Sequence, residues 1–243
     1  MAVPRVRAAV AAELLPDTVA VSIIIPVLNE ADCLDQILAR LFALPFVADN
    51  CEVIVCDGGS DDDSIEIARR HGCRIAHSVA GRAVQMNRGA ELADGRQLLF
   101  LHADSRLPPD LHEYFPFDAE WGYFRLHLDN QASIFRVIET AVNLRSRITR
   151  IAGGDQGLFF SRALFARVGR FPAIPLMEDI AICKAARRKL PPVIVSSAMS
   201  SSSRRWQERG VLRTIMLMWS LRLAYWLGVD PARLHRYYYP QRG

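Results

Sequence analysis

The sequence predicts an α/β fold: a single domain with a mainly parallel central sheet flanked by helices, followed by a C-terminal helical extension. Three observations lead there. Short apolar, β-branched runs alternate with stretches of helical periodicity through the first hundred residues, in the order β-α-β-α-β-α-β, which right-handed crossovers fold into a parallel sheet. Polar clusters follow those runs: Asn29-Glu30, Asp57-Gly58-Gly59-Ser60, Gly81-Arg82 and His102-Ala103-Asp104. In a parallel sheet these ends share one edge, where open α/β sheets bind ligands. Finally, Leu98 to Leu101 are four large apolar residues in a row, the mark of a strand buried on both faces.

Taken in order, Val21 to Leu28 is the first strand, and Asn29 reads as the N-cap of a helix with Leu34, Ile37, Leu38, Leu41 and Phe42 at helical spacing. Pro45 ends that helix. Glu52 to Cys56 is the second strand, a helix carrying Ile65 and Ala68 follows, and Cys73 to His77 is a third, weaker strand. Gly81-Arg82 opens a helix through Met86 to Leu92, and the Gln97–Leu101 strand comes next. Trp121 to Leu128 reads as a strand at or near a sheet edge. Ile134, Val137, Ile138, Ala141 and Ile148 mark a long helix with arginines on its other face. A flexible turn at Gly153-Gly154-Asp155-Gln156-Gly157 precedes the short run Leu158 to Phe160. Ser161 and Gly169 bracket a short helix. Met177-Glu178-Asp179 opens a helix through Arg188, Val193 to Val195 is a short strand, and Ser196 to Ser203 reads as a loop. A long apolar-aromatic helix over about 208–228 and a last short helix from Asp230-Pro231 complete the chain.

The composition is that of a globular protein: 243 residues, 51% hydrophobic and 23% charged, with no low-complexity tract. The net charge of +4 is uneven. From Arg204 onward eight arginines face only Glu208 and Asp230, a local +6, so the first 203 residues carry −2. An anion or a membrane surface is therefore expected to meet the C-terminal end, and no nucleic acid partner is expected. Five cysteines (33, 51, 56, 73, 183) without a C-x-x-C pair read as reduced thiols, with no structural zinc. The N-terminus is too short and interrupted for a secretory signal, and no stretch reaches the length of a membrane span. The expected localisation is cytoplasmic, with association at the inner face of the membrane left open.

A carboxylate after the second strand, another after the fourth and a glycine-rich turn suggest nucleotide binding. Asp57 can accept hydrogen bonds from a base or ribose, and Gly58-Gly59 allow close backbone approach. The turn is neither a Walker A loop nor a dinucleotide fingerprint. Taken alone, Asp57 to Ser64 also reads as a solvated acidic turn capping a helix, and Asp104 as a cap of the next turn.

These residues resemble the family 2 glycosyltransferases. Val21 to Glu30 is similar to that family's opening strand, Asp57-Gly58-Gly59-Ser60 to its D-[DG]-G-S turn, and His102-Ala103-Asp104 stands in the place of its D-x-D. Glu178-Asp179 matches its E-D pair, and Arg205-Trp206 the end of its Q-x-x-R-W. The motifs keep their order across most of the chain, in a form similar to a compact, soluble bacterial subgroup.

The resemblance implies a GT-A domain over residues 1–207, with a nucleotide-binding half at about 20–105 and an acceptor half at about 106–207. Residues 208–243 would be a helical segment packed on that domain or at an interface. It implies an inverting transfer from a nucleotide-diphosphate sugar, with a uridine carrier expected, to an acceptor hydroxyl. Pro26, Asn29, Glu30, Asp57, Gly59, Arg82, Asn87 and Asp104 would line the nucleotide-sugar site. Asp104 would ligate a divalent cation, Mn or Mg, whose shell the diphosphate oxygens complete. Asp179 would be the general base, and Glu178 would tune it or cap the helix. Asp155, Gln156, Arg205 and Trp206 would lie on the acceptor or diphosphate side, Trp206 as a sugar-stacking platform or a core residue. Two departures matter: His102 replaces the first aspartate of D-x-D and reads as an outer or water contact beside the metal, with direct ligation as the alternative, and Ser202-Ser203-Arg204 replaces Q-x-x. The acceptor stays open between a glycan, a lipid-linked molecule and a small molecule, and the oligomeric state is open too. The apolar C-terminal helix is either buried in the protein or a dimer interface, or it lies in a membrane interface with its arginines at the headgroups. The rival activities are a sugar-phosphate nucleotidyltransferase and a non-catalytic nucleotide-sugar binding protein.

Overall fold

A computed structural model describes residues 19–114 and 119–239, without the side chains of Arg205, Glu208 and Arg209. Four strands form the parallel half of the sheet: β1 (Val21–Val27), β2 (Cys51–Asp57), β3 (Arg74–His77) and β4 (Gln97–Phe100). The other strands are β5 (Ser105–Arg106), β6 (Trp121–Leu128), β7 (Leu158–Ser161) and β8 (Val193–Ser201). Their order is β3-β2-β1-β4-β7-β6-β8-β5. β7 runs antiparallel to β4 and β6, and β8 pairs parallel with β6 and antiparallel with β5. The mainly parallel α/β sheet flanked by helices is therefore as expected.

The alternation of side chains along a strand explains why the first strands are apolar throughout. Ile23, Ile25, Val53, Val55, Leu99 and Leu101 enter the core on one face. Ile24, Ile54, Cys56, Leu98 and Phe100 enter the core on the other. On the first face α1 (Ala31–Phe42) contributes Leu34, Leu38 and Leu41, and α3 (Ser64–Arg70) contributes Ile67 and Ala68. The second face is covered by α4 (Arg82–Leu92), α6 (Arg162–Arg167) and α7 (Glu178–Arg187) through Met86, Leu164, Phe165, Ile182 and Cys183. All five cysteines are unbridged.

Several expectations are corrected. Pro45 does not end a helix: it sits in the first turn of α2 (Pro45–Asn50), where its missing N–H costs nothing. Strand β6 lies inside the sheet between β7 and β8, and Trp121, Tyr123 and Phe124 are fully buried. The serine-rich segment is no loop. It continues β8 to Ser201 across a register shift opposite Phe124/Arg125, with Met199 and Ser201 turned inward. The long helix α5 (Ser133–Thr149) buries Phe135, Ile138, Glu139 and Ser146. Of the expected stripe only Ile138 is buried; Ile134, Val137, Ala141 and Ile148 point to solvent instead.

The C-terminal helix is divided at Gly210, whose φ of 83° suits glycine, into α8 (Arg204–Arg209) and α9 (Val211–Trp226). Only Thr214 and Leu221 of α9 are buried, so the version of the expectation that buries this helix inside the protein is overturned. α10 (Pro231–Tyr238) follows, capped by the Asp230 carboxylate, which accepts the Ala232 N–H at 2.7 Å. Leu221, Leu234 and Tyr238 pack with Met177 and Ile180, the residues either side of the Glu178-Asp179 pair.

Candidate active site

The strand ends build the site's first wall. Asp57 closes β2 and is 3% exposed. Its Oδ2 accepts the Gly59 N–H and its Oδ1 the Ser60 N–H, both at 3.0 Å. Burial alone would push this carboxyl up, but the Ser60 and Gly59 hydrogen bonds, with His77 beside it, outweigh burial and hold it below the ordinary value. Gly59 turns the loop at φ 94°, and a Cβ on Gly58 would stand 3.1 Å from the Gln85 side chain, a tight contact that would press on it.

The rest of this acidic turn is a staple between two loops. Asn29 is not a helix N-cap: it takes φ 54°, its N–H donates to Ser60 Oγ at 2.9 Å, and its Oδ1 accepts the Asp61 N–H at 2.8 Å. Glu30 N–H donates to Ser64 Oγ and Ala31 N–H to Asp62 Oδ2, each at 2.9 Å. The orphan donors that open α1 are thus satisfied from across the sheet edge. Pro26 sits on the side of β1 that β4 has already left, since the β1–β4 register ends at Ile24↔Phe100. A residue without an N–H is tolerated there.

Behind this edge lies Gln85 of α4, 4% exposed. Its Nε2 donates to the carbonyls of Val27 and Cys56 at 2.7 and 2.8 Å, and its Oε1 accepts the Gly81 N–H at 3.2 Å. Asn87, two residues further along α4, takes a different role from the nucleotide contact expected of it. Its amide donates to Phe171 O at 2.8 Å and accepts Phe171 N–H at 3.1 Å, so both of its polar atoms are spent clamping a backbone.

The second wall joins α7 to the turn at Gly154–Gln156. Asp179 Oδ2 accepts the Gly154 N–H at 2.9 Å, and Oδ1 accepts the Ile180 N–H at 2.7 Å. Glu178 is 3% exposed and pairs with Arg82 at 3.5 Å. Its carboxyl is pushed up first by burial and then by Asp179, with Arg82 opposing both. Burial works against the charge on Arg82, but Glu178, Tyr239, Asp179 and Tyr238 more than compensate. Asp155 is likewise pushed up by burial, with Asp179 and Asp104 adding to it and Arg145 and Arg222 opposing. Arg145 of α5 is lowered to about 10 by burial and by Arg222 of α9. The structure therefore brings Asp104, Asp155, Asp179, Arg145 and Arg222 into one electrostatic neighbourhood.

Other expected residues fall elsewhere. Gln156 cannot serve an acceptor: it is fully buried, with Oε1 accepting from Ser146 Oγ and Gly153 N–H and Nε2 donating to Phe124 O. Trp206 is half-buried against Leu126, Leu128, Phe135 and Ile138, which makes it a core residue. The Arg205 side chain lies outside the described residues. Asp104 is exposed in the turn after β4, and among the described residues no cluster of three ligating side chains surrounds it. Such a position fits a cation held mainly by donor phosphate oxygens.

Two residues named from the sequence take places it did not foresee, and two further contributors were given no role there. His102 lines a small cavity with Phe100, Gly154, Glu178 and Asp179, and a Cβ on Gly154 would stand 2.5 Å from its ring. Arg204 shares the electrostatic surroundings of Cys33 with Glu30 and Asp104. Gln85 lies within the Gly81–Asn87 stretch but was assigned no role, and Arg145 belongs to no motif.

Comparison with known proteins agrees with this geometry. Residues 22–116 match the family model described as Glycosyl transferase family 2. An uncharacterized glycosyltransferase, YibD of Escherichia coli, is 34% identical over 98 residues, covering 38% of this chain and 28% of that protein. The PGL/p-HBAD biosynthesis glycosyltransferase of Mycobacterium bovis is 32% identical over 170 residues, covering 62% of each chain. The chain thus spans less than two thirds of the length of these relatives. Among solved structures, a mannosyltransferase of Pyrobaculum calidifontis in complex with GDP-Man and Mn2+ superposes with a TM-score of 0.61 at 19% identity, covering 95% of this chain and 68% of that one. The GT-A fold and the family resemblance are both borne out.

Proposed function

From the match of residues 22–116 to the glycosyl transferase family 2 model, we propose that this protein transfers a sugar from a nucleotide-diphosphate sugar to an acceptor hydroxyl, with inversion. The observation that carries the reading is the convergence on one sheet edge of the Asp57 loop, Asp104 and Asp179, with Asp179 held by the Gly154 N–H. The Asp57–Ser60 turn supports a base or ribose, as its ordered carboxylate keeps lone pairs beyond those its own loop uses. Asp104 would hold a divalent cation, which supplies charge neutralisation at the departing diphosphate.

In the step itself the acceptor oxygen forms a bond to the anomeric carbon as the bond to the diphosphate breaks. The electron pair leaves with the diphosphate. Asp179 takes the acceptor's proton, and its backbone hydrogen bonds fix the carboxylate for that task. Beside it the buried Glu178 pairs with Arg82, whose side chain is partly exposed. Asp179→Asn should abolish transfer while nucleotide-sugar affinity falls far less, because the amide keeps the side chain's size, removes the base and forfeits one of the two bonds accepted from the Gly154 and Ile180 N–H groups. Equal loss of binding and transfer would remove Asp179 from that role.

A further inference from the structure

We propose that the joint solvent face of α5 and α9 seats this protein flat on an anionic lipid bilayer. On α9, Leu212, Met216, Trp219, Leu223, Trp226 and Leu227 are 57–74% exposed. At 100° per residue all six fall within an arc of roughly 100°, so they form one apolar face. On α5, Ile134, Val137, Leu144 and Ile148 are 40–72% exposed, within an arc of roughly 80°. The two faces are neighbours, because Val211 and Ile215 of α9 pack into the same cluster as Phe135, Ile138 and Val142 of α5. Contiguous apolar surface on this scale is uncommon on soluble monomers and marks an interaction site.

Charge selects the occupant. Of the arginines on α5 and α9, Arg147 and Arg213 are exposed, whereas Arg136 pairs with Glu139 and Arg145 and Arg222 face the Asp155 side; Glu139, the single acid of the two helices, is 8% exposed and turned to the core. α10 adds Arg233 and Arg236, both exposed. Apolar residues including two tryptophans, flanked by exposed arginines and with no exposed acid on α5 or α9 themselves, match an interface of acyl chains and anionic headgroups. A self-complementary dimer would bring these cations against one another. No described helix is long and apolar enough to cross a membrane, so the helices lie in the plane. Leu221, on the opposite side of α9, packs against Met177 and Ile180. Docking therefore sets the Asp179 edge about one helix diameter, roughly 10–12 Å, from the bilayer surface.

The test uses the full chain and no nucleotide sugar, so it stands apart from the proposed transfer. Vesicles of phosphatidylglycerol and phosphatidylcholine should float the protein and blue-shift its tryptophan emission. Brominated acyl chains should quench it, and raised salt should weaken binding. Pure phosphatidylcholine should bind at least about tenfold less. Trp219→Ser/Trp226→Ser should weaken binding at least about tenfold with the circular dichroism spectrum unchanged, and Arg213→Glu/Arg236→Glu should erase the preference for anionic lipid. Failure of the wild-type chain to float with anionic vesicles overturns the proposal. So does a stable dimer that the double serine variant splits, since that outcome assigns the face to a second copy.

Discussion

Gln85 offers the sharpest test of how the donor edge is held. Its side chain bridges the ends of β1 and β2 to the start of α4 through three hydrogen bonds, to Val27 O, Cys56 O and from Gly81 N–H. Gln85→Ala removes all three in a site that is 4% exposed. Buried hydrogen bonds contribute about 1 kcal/mol each, more where a partner is left unsatisfied, and the vacated space adds to the loss. Val27 O keeps its bond from Gly58 N–H at 2.9 Å, which trims the total. The expected cost is about 2–4 kcal/mol, read from urea denaturation, or a fall in Tm of roughly 4–16 °C for a domain of this size. Gln85→Glu should be worse at neutral pH, because it sets a carboxylate oxygen against two carbonyls. It should recover as pH falls and that carboxyl protonates. An alanine variant within 1 kcal/mol of wild type, or a glutamate variant no worse than alanine, would refute the bridging role.

Asn87→Ala should lower stability by about 1–3 kcal/mol yet leave nucleotide affinity unchanged by calorimetry, since its amide serves Phe171 alone. A selective loss of nucleotide binding would restore the discarded reading. Gly154→Ala should cut kcat at least tenfold, because its Cβ would strike the His102 ring at 2.5 Å and disturb the bond to Asp179; wild-type kcat would remove that contact from the account. Glu178 has a folded pKa above its ordinary 4.5. Its unfolded form ionises first as pH rises, so its contribution to stability is fully present below about 4.5 and is lost as pH climbs toward the folded value. Glu178→Gln should flatten that slope in a Tm–pH series; an identical slope would contradict the burial argument. The thiols of Cys51, Cys56, Cys73 and Cys183 are pushed up to about 12, and Cys33 to about 11, all chiefly by burial. Iodoacetamide at pH 8 should therefore modify them only after unfolding, as mass spectrometry would register.

The parallel half of the fold was legible because β1, β2 and β4 are buried on both faces, and such strands must be apolar throughout. Strand β8 was not legible beyond Val195. Its serines have poor strand propensity, and their place is set by pairing with β6, a long-range event that local sequence does not encode. The helix α5 misled for a related reason: its most regular apolar stripe faces solvent, while Glu139 and Ser146 are among the residues it buries. In the site, Asp57, Asp104, Glu178 and Asp179 were readable from their positions after strands or at a helix start. Asn87 and Gln156 were readable only as polar residues beside motifs, and the geometry turns both into backbone clamps. Arg145 and Arg222 come from helices far along the chain, so no motif could have joined them to Asp155.

The central claim is sugar transfer with Asp179 as base, and the identity of the released product tests it most directly. Incubated with a nucleotide-diphosphate sugar and Mn2+, with water as surrogate acceptor, the wild-type protein should release nucleoside diphosphate. Nuclear magnetic resonance should show the free sugar first in the inverted anomeric form, and Asp179→Asn should bind donor without releasing either product. Release of sugar 1-phosphate, retention at the anomeric carbon, or undiminished turnover by Asp179→Asn would contradict the account.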